Sequence, residues 1–324
     1  MIQAVRIHAP GGPEQLRAEQ MDTPAPGPDE VLISQSAIGV NYIDVYHRTG
    51  LYPLDLPAII GMEGSGIVES TGANVKTLKI GDRVAYASGP VGAYAEKRVM
   101  PAGRVVKLPD TISYESAAAM MVKGMTAEYL LRRTYNVKKD DWILVHAAAG
   151  GVGQVLCQWG RHLGANIIAT AGSDDKCALA RRLGADHAIN YRTENFKARV
   201  KDITNGQGVH VVYDGVGADT FMDSLDCLRP MGYMVSYGNA SGLVPVIDPK
   251  ILASKGSLFL TRPSLWHYTM TDEDYQASAK ALFDVVQTGA VKIDVTKIYP
   301  LSDAAQAHRD LEGRATTGSV ILIP

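Results

Sequence analysis

The segment with the clearest chemical consequence is the glycine-rich turn at 146–153, which reads His146-Ala-Ala-Ala-Gly-Gly-Val-Gly153. It follows an apolar run typical of a buried strand, and a helical pattern begins near Val152. A helix N-terminus presents unpaired N–H groups and a positive dipole end, and glycines let a pyrophosphate approach the backbone. The spacing Ala148-x-Gly150-x-x-Gly153 has alanine at its first position, and a glycine turn alone also suits a plain tight corner. The strand–turn–helix context favours dinucleotide binding, with contacts expected from Ala149, Gly150, Gly151 and Val152.

The second strand of this pattern, at 166–170, indicates which dinucleotide binds. NAD sites usually place Asp or Glu at the tip of this strand, where the carboxylate accepts from the ribose hydroxyls. Here the strand is followed by Ala171-Gly172-Ser173. Ser173 is a suitable helix N-cap, and its hydroxyl also suits a 2′-phosphate. Lys176 lies one turn further on, and Tyr191 and Arg192 follow the third strand; Lys176 alone is equally credible as a solvated helix charge. The missing carboxylate and the nearby cations together favour NADPH over NADH.

The elements around these residues alternate between strand and helix. Strands are predicted at 142–146, 166–170, 187–190, 209–213 and 231–237, and helices at 152–163, 174–183, 194–203 and 218–227. Such alternation with apolar strands predicts a parallel sheet covered on both faces. Residues 1 to about 110 instead show short strand patterns broken by Gly/Pro turns, which predicts a small barrel-like β domain. Further helical patterns lie at 115–121, 127–133, 273–287 and 304–312. The last run, 318–323, is expected to return to the first domain.

The composition bounds the class of protein. The chain has 324 residues, with 32 basic and 34 acidic side chains and a formal net charge of −2. This length favours two domains, and the charge balance argues against nucleic acid or an anionic membrane as the main partner. No apolar run is long enough to cross a bilayer, and residues 1–8 lack the pattern of a signal peptide, so a cytoplasmic location is expected. Three cysteines cannot form a four-thiolate zinc site.

Several motifs along the chain belong to one pattern. The longest runs from Asp140-Asp-Trp-Ile-Leu144 through the glycine turn to Gln158-Trp-Gly-Arg161. The others are Asn41-Tyr-Ile-Asp44, Pro57-Ala-Ile-Ile-Gly-Met-Glu63, Gly81-Asp-Arg-Val84, Leu183-Gly-Ala-Asp186, Asp214-Gly-Val-Gly217 and Arg314-Ala-Thr-Thr-Gly318. In these motifs and their order over the whole chain, the sequence resembles the quinone oxidoreductase (zeta-crystallin-like) branch of the medium-chain dehydrogenase/reductase superfamily.

The resemblance implies an α/β architecture in which a Rossmann doubly wound parallel sheet is inserted in a GroES-like β-rich catalytic domain. The catalytic domain is expected at 1–124 plus 265–324, and the NADPH-binding domain at 125–264. The resemblance also implies a homodimer that pairs through the last strand of the nucleotide domain, expected here at 257–261.

The resemblance implies that Asn41 and Met62 stand at the positions where zinc-dependent relatives hold catalytic zinc. An amide and a thioether are poor zinc ligands, so no metal is expected. Without a Lewis acid to polarise a carbonyl, alcohol oxidation is disfavoured. The resemblance therefore implies that NADPH reduces an acceptor that is already activated, either a quinone or another conjugated carbonyl compound.

The catalytic candidates are Asn41, Tyr46 and Tyr52, which are expected to hydrogen-bond an acceptor oxygen or the nicotinamide. Asn41 has an equally credible role as the cap of a helix over 42–46, and Tyr52 as a surface aromatic. Glu63 is interpreted as a buried ion-pair carboxylate, and His146 as a packed strand residue. The family pattern implies further cofactor contacts at Thr126, which we expect to open a helix, and at Gly215, Val216, Tyr237, Gly238, Thr261, Pro263 and Arg314. A solvated surface arginine is the alternative for Arg314.

Three functions are compatible with these residues. The leading hypothesis is an NADPH-dependent quinone reductase that transfers a hydride or single electrons. An enone or alkenal double-bond reductase is the alternative within the same class, and it needs a proton donor, for which Tyr46 or Tyr52 would serve. The alternative from another class is a crystallin-like protein that binds NADPH without useful turnover.

Overall fold

The computed structural model describes residues 1–313 and 315–324, which form two compact units. The first unit comprises Met1–Met125, Tyr268–Gln287 and Ile293–Pro324, and the second comprises Thr126–His267 and Thr288–Lys292. The second unit is therefore inserted within the chain of the first. The domain limits expected from the sequence, 1–124 plus 265–324 and 125–264, remain a prediction.

The strands are β1 (Ile2–Ile7), β2 (Arg17–Met21), β3 (Glu30–Val40), β4 (Ala58–Ile59), β5 (Glu63–Thr71), β6 (Arg83–Ala87), β7 (Lys97–Pro101), β8 (Val106–Lys107), β9 (Trp142–Val145), β10 (Asn166–Ala171), β11 (His187–Asn190), β12 (Val209–Asp214), β13 (Leu228–Ser236), β14 (Phe259–Thr261), β15 (Val295–Pro300) and β16 (Ser319–Ile323). The α-helices are α1 (Tyr42–Thr49), α2 (Tyr114–Tyr129), α3 (Gly151–His162), α4 (Asp174–Arg182), α5 (Phe196–Ile203), α6 (Phe221–Leu225), α7 (Lys250–Ser254), α8 (Leu265–Tyr268), α9 (Asp272–Gln287) and α10 (Ala304–Glu312).

The first unit is dominated by β structure, as expected. Its larger sheet has the order β15-β16-β3-β5-β6-β8, with β7 also pairing with β3, and a smaller sheet has the order β2-β1-β4. The central strand β3 is long, and its apolar side chains Val31, Ile33 and Ile38 are buried in the core of this unit. The last strand, β16, pairs antiparallel with β3, with Ile321 opposite Gly39. The expected return of the chain's last strand to the first domain is confirmed.

The second unit is built on a parallel sheet with the order β11-β10-β9-β12-β13-β14. This is the doubly wound Rossmann order, in which the chain switches direction across the sheet between β9 and β12. The expected fold class is confirmed. One core of this unit collects a buried side chain from each of five strands: Leu144, Ile168, Ile189, Val212 and Met234. Ligands of such sheets bind outside the carboxyl ends of the strands near the switch point.

One helix prediction is wrong. The patterns at 115–121 and 127–133 were expected as separate helices, but α2 is continuous from Tyr114 to Tyr129 and ends in a π-helical turn, Leu130–Thr134. A single glycine at 124 does not break the helix, and it permits close packing, since a Cβ there would overlap Leu282 of α9. Thr126 therefore lies inside a helix and does not open one. No helix in the described part of the chain is long and apolar enough to cross a membrane.

Candidate functional site

The glycine turn connects β9 to α3 at the switch point of the parallel sheet. Ala147 adopts a positive φ of 49°, and the N–H of Gly150 donates to its carbonyl at 2.9 Å. The N–H of Ala148 donates to the carbonyl of Thr170 at 3.0 Å, and this hydrogen bond connects the turn to β10. A Cβ on Gly153 would overlap the carbonyl oxygen of Ala147 and lie 2.7 Å from Cα of Ala148. Glycine is therefore required at 153 by the backbone it packs against.

The start of α3 fits a pyrophosphate. Gly150 is the N-cap, and within the described residues no side chain caps this end of the helix. Gly150, Gly151 and Val152 are half-buried, and because a glycine has no side chain, the exposed atoms of Gly150 and Gly151 are backbone atoms. The first N–H groups of a helix have no partner within it, and they carry the positive end of the helix dipole. Together these features suit an anion, and the pyrophosphate contacts expected from the sequence remain a prediction.

His146 is a structural residue, in agreement with its interpretation from the sequence. It is fully buried, and its Nε2–H donates to the hydroxyl of Ser224 at 2.9 Å, because that hydroxyl in turn donates to the carbonyl of Thr220. Its Nδ1 accepts from the hydroxyl of Thr170 at 2.8 Å. Burial lowers the pKa of His146. A neutral imidazole with both nitrogens occupied has no proton to exchange with a ligand.

The tip of β10 carries small and hydroxyl-bearing residues. Ser173 is the N-cap of α4, and its Oγ accepts from the N–H of Lys176 at 3.3 Å. The N–H of Tyr191 donates to Ala171 at 3.2 Å, and a Cβ on Gly172 would lie 2.6 Å from the Tyr191 hydroxyl and 3.6 Å from Nε of Arg192. The structure thus brings Ser173, Tyr191 and Arg192 to the same ends of neighbouring strands.

The first carboxylate that follows this tip in the chain is already engaged. Asp174 follows Ser173 at the start of α4, and its Oδ1 accepts from Nδ2 of Asn190 at 2.9 Å. An acid at this position is favoured by the dipole of α4. The tip itself presents hydroxyl groups and a guanidinium. These groups complement the 2′-phosphate of NADPH better than the ribose 2′-hydroxyl that NADH has in its place.

The end of β12 is organised by a buried carboxylate. Oδ1 of Asp214 accepts from the N–H groups of Val216 at 2.7 Å and Gly217 at 3.1 Å. The N–H of Tyr237 donates to the carbonyl of Asp214 at 2.8 Å, and a Cβ on Gly238 would lie 2.9 Å from Cα of Gly215. Gly215, Val216, Tyr237 and Gly238 are therefore neighbours. Thr261 ends the adjacent strand, opposite Val235, and Pro263 follows two residues later.

In the first unit, Asn41 begins α1 and contacts Glu63. Its backbone N–H donates to Oδ2 of Asp44 at 2.8 Å, and its side-chain Nδ2 donates to Oε1 of Glu63 at 2.7 Å. The capping role weighed for Asn41 is the one observed, since it is the N-cap residue of a capping box with Asp44. Its catalytic role remains a proposal.

Glu63 is fully buried and saturated. Besides Asn41, its Oε1 accepts from Nζ of Lys123 at 2.7 Å, and its Oε2 accepts from the N–H of Val122 at 2.6 Å. A Cβ on Gly39 would overlap this carboxylate. Glu63 therefore joins β5, α1 and α2 as an ion-paired structural group, which agrees with its interpretation from the sequence.

The other two catalytic candidates lie together at the end of α1. The Tyr46 and Tyr52 rings are 5.2 Å apart between centroids, edge to face, and Tyr42 lies 5.5 Å from Tyr46. His47, which the sequence did not single out, is 6.1 Å from Tyr52, and burial lowers its pKa. Nδ1 of His47 has no hydrogen-bond partner among the described residues. The only sequence signal for His47 was its position beside Tyr46.

Two further expectations concern Arg314 and a metal. Arg314 lies outside the described residues. Among residues 1–313 and 315–324, no group of three or more His, Cys, Asp or Glu side chains is arranged to hold a metal ion. The expectation that the enzyme works without a metal remains a prediction.

A doubly wound parallel sheet with a bare phosphate turn, inserted in a β-rich unit, defines a dinucleotide-binding dehydrogenase of the medium-chain type. Two family models match the chain: "Alcohol dehydrogenase GroES-like domain" over residues 27–110 and "Zinc-binding dehydrogenase" over residues 151–284.

Individual relatives show which family within this class the chain resembles. A quinone oxidoreductase of Pseudomonas aeruginosa is 48% identical over 325 residues, with 100% of both chains covered. A 2-haloacrylate reductase of a Burkholderia species is 44% identical over 331 residues, covering 100% of this chain and 99% of the relative. The Escherichia coli quinone oxidoreductase, solved in complex with NADPH, superimposes with a TM-score of 0.98 at 47% identity and covers 99% of this chain and 100% of its own. The chain belongs to the quinone oxidoreductase family.

Proposed function

We propose that this chain is an NADPH-dependent quinone reductase that passes a hydride, or electrons singly, to a quinone without zinc. The observation that carries the proposal is the carboxyl edge of the parallel sheet. There the uncapped start of α3 lies beside the tip of β10, where Ser173, Tyr191 and Arg192 converge and Asp174 is bound to Asn190. The names of the relatives support the same activity.

Each predicted residue is proposed for one task. The backbone of Ala149, Gly150, Gly151 and Val152 binds the pyrophosphate, and Ser173, Lys176 and Tyr191 bind the 2′-phosphate. Asn41, Tyr46 and Tyr52 orient the acceptor. The bound nicotinamide supplies the hydride, and a quinone needs no Lewis acid because it delocalises the incoming charge. The remaining proposed cofactor contacts are Thr126, Gly215, Val216, Tyr237, Gly238, Thr261, Pro263 and Arg314.

A second candidate function is the reduction of a conjugated double bond. It is favoured by the 44% identity to a 2-haloacrylate reductase, whose name describes such a substrate. This reaction needs a proton at the substrate α-carbon, for which the hydroxyl of Tyr46 or Tyr52 would serve. The third candidate, binding of NADPH without turnover, predicts no acceptor reduction at all.

Steady-state oxidation of NADPH separates the three functions. The acceptors are 1,4-benzoquinone, 9,10-phenanthrenequinone and a 2-alkenal, assayed with wild type, Tyr46→Phe and Tyr52→Phe. A quinone reductase turns over both quinones, and the loss of either hydroxyl leaves quinone turnover within about tenfold of wild type. A double-bond reductase prefers the 2-alkenal and loses that rate in one of the tyrosine variants. Tight NADPH binding with no turnover of any acceptor would rule out both enzymes.

The proposed cytoplasmic enzyme is a homodimer that pairs through β14. This strand is the edge of the parallel sheet, and its side chains Phe259 and Leu260 are 51% and 39% exposed. The Phe259 ring stacks on Tyr233 at 4.7 Å and presents a flat apolar surface. Apolar edge strands of this kind pair with other chains. Phe259→Asp is expected to convert a dimer to a monomer in sedimentation velocity, and Ile298→Asp, on edge strand β15, is the matched control. A wild-type monomer would contradict the proposal.

A further inference from the structure

Arg98 is a buried cation in the first unit whose hydrogen-bonding capacity is mostly unused. It lies in β7, opposite Ile33 of β3, and is 5% exposed. Its Nη2 donates to the carbonyl of Pro90 at 2.8 Å, and its guanidinium carbon lies 4.7 Å from the centre of the Tyr86 ring. Nε and Nη1 have no hydrogen-bond partner among the described residues.

This arrangement leaves the positive charge uncompensated. A guanidinium stays protonated in proteins, and removing it from water costs several kcal/mol unless an anion pairs with it. One carbonyl and the ring and hydroxyl of Tyr86, all uncharged, return only part of that cost. Within the described chain, no carboxylate forms an ion pair with Arg98. The buried carboxylate of Glu63 is bound to Lys123 and that of Asp44 to Tyr94, so neither serves Arg98.

An open cavity of about 490 Å³ adjoins Arg98. Most of its wall is apolar, including Ile2, Met21, Leu54, Pro57, Ile59 and Val91. The loop 90–92 that accepts the Arg98 hydrogen bond is part of the same wall.

The other charged residues of the wall do not compete for an anion. Arg6 is bound to Glu19 at 3.2 Å and Lys97 to Glu69 at 2.8 Å. Asp55 is the one acid in the wall, and it disfavours a ligand of high negative charge. The single unpaired cation therefore selects a single negative charge.

We propose that this cavity binds a small organic monocarboxylate, with its carboxylate on Arg98 and an apolar body against Leu54, Ile59 and Val91. The carboxylate supplies the missing acceptor and the missing counter-charge, and the apolar wall supplies affinity for the body. Asn41, Tyr46 and Tyr52 are not part of this wall. The site is therefore separate from the proposed catalytic residues, and its occupancy is measurable without turnover.

The test is titration of the full-length protein, without NADPH, by calorimetry and by thermal melting. The probes are benzoate and hexanoate, with benzyl alcohol and hexanol as neutral controls. Both carboxylates are expected to bind and raise the Tm, and the alcohols are expected to bind at least about tenfold more weakly, because they lack the charge-assisted hydrogen bond.

Variants assign the binding to Arg98. Arg98→Met is expected to weaken benzoate binding by about tenfold or more, and its own Tm without ligand should equal or exceed that of wild type, because an uncompensated buried charge has been removed. Leu54→Trp, which fills the cavity, should also abolish binding and remains informative if Arg98→Met does not fold. Tyr52→Phe is the control and should bind benzoate as wild type does. No Tm shift with either carboxylate, or binding that both cavity variants leave unchanged, would overturn the proposal.

Discussion

The carboxylate of Glu63 depends on Lys123 for its charge balance. Both side chains are buried, and their ion pair is 2.7 Å long. Lys123→Met leaves an anion with only neutral donors, and it is expected to lower the free energy of unfolding by about 3 kcal/mol. Urea denaturation measures this change. Lys280→Met, on an exposed side chain, is the control and should cost less than about 0.5 kcal/mol.

The double variant Glu63→Gln/Lys123→Met removes both charges and should regain part of the lost stability. Equal costs for Lys123→Met and Lys280→Met would contradict the structural role assigned to Glu63.

Asp44 gives the first unit a pH dependence with a definite sign. Burial raises its pKa to about 7 from an ordinary 3.8, against the hydrogen bonds from the Asn41 N–H and the Tyr94 hydroxyl, which lower it. Between these values the folded state holds a proton that the unfolded chain has released, so the stability from this group falls as pH rises. From pH 5 to pH 8, wild type should lose about 2 kcal/mol relative to Asp44→Asn.

Urea unfolding of wild type and Asp44→Asn across this range makes the measurement. His308, whose pKa burial lowers to about 3, acts in the opposite direction and is present in both proteins. Asp110→Asn, at a side chain 99% exposed, is the control, and its difference from wild type should stay flat. A stability difference for Asp44→Asn that does not change with pH would contradict the assignment.

For single residues, the sequence indicated which side chains were candidates for a role better than it indicated which groups those side chains contact. The polar character of Asn41 was visible, but its contact with Glu63, 22 residues away, was not, because only the fold brings the two side chains together. The lone cation Arg98 carried no local signal, because its lack of an ion-pair partner follows from the packing of β7 against β3 and the neighbouring loops.

The turn between β9 and α3 makes the clearest prediction at the scale of an element. Gly153→Ala forces a Cβ against the backbone of Ala147 and Ala148, so the turn must shift. The expected result is a loss of about 1–3 kcal/mol of stability and at least about tenfold weaker NADPH binding. Gly160→Ala, in the same helix, is the control, since its Cβ would lie 3.1 and 3.2 Å from the flexible ends of Ile143 and Ile167.

NADPH fluorescence titration and urea unfolding measure both effects. Equal NADPH affinities of the Gly153→Ala and Gly160→Ala proteins would contradict the proposal that this turn binds the cofactor.

Local patterns predicted most elements of the parallel sheet, because apolar strands and turn residues are signals within a few positions. The helix expected at 218–227 is shorter, Phe221–Leu225, for a long-range reason. Asp214 holds the N–H groups of Val216 and Gly217, and the N–H of Ala218 donates to Gly242, so this segment forms a turn. The single helix α2 differs from the two expected, because Gly124 does not break it and, having no Cβ, leaves room for Leu282 to pack closely against it.

At the scale of the whole molecule, the family resemblance implied the inserted arrangement, and the orphan run 318–323 indicated that the last strand returns to the first domain. The acceptor was not predictable, because a pocket lined by apolar and aromatic side chains, such as the one proposed around Tyr46 and Tyr52, fits many conjugated molecules. The cofactor was more predictable, since a phosphate is recognised by backbone geometry and charge at defined strand ends.

The most direct test of the central claim is kcat/KM for 1,4-benzoquinone reduction with NADPH and with NADH, measured on wild type after metal analysis of the same sample. We expect rapid reduction by NADPH, a preference over NADH of more than about tenfold, and no stoichiometric zinc. Equal rates with the two cofactors would contradict the role of Ser173, Lys176 and Tyr191. No reduction of the quinone with NADPH, despite tight binding, would contradict the proposed function itself.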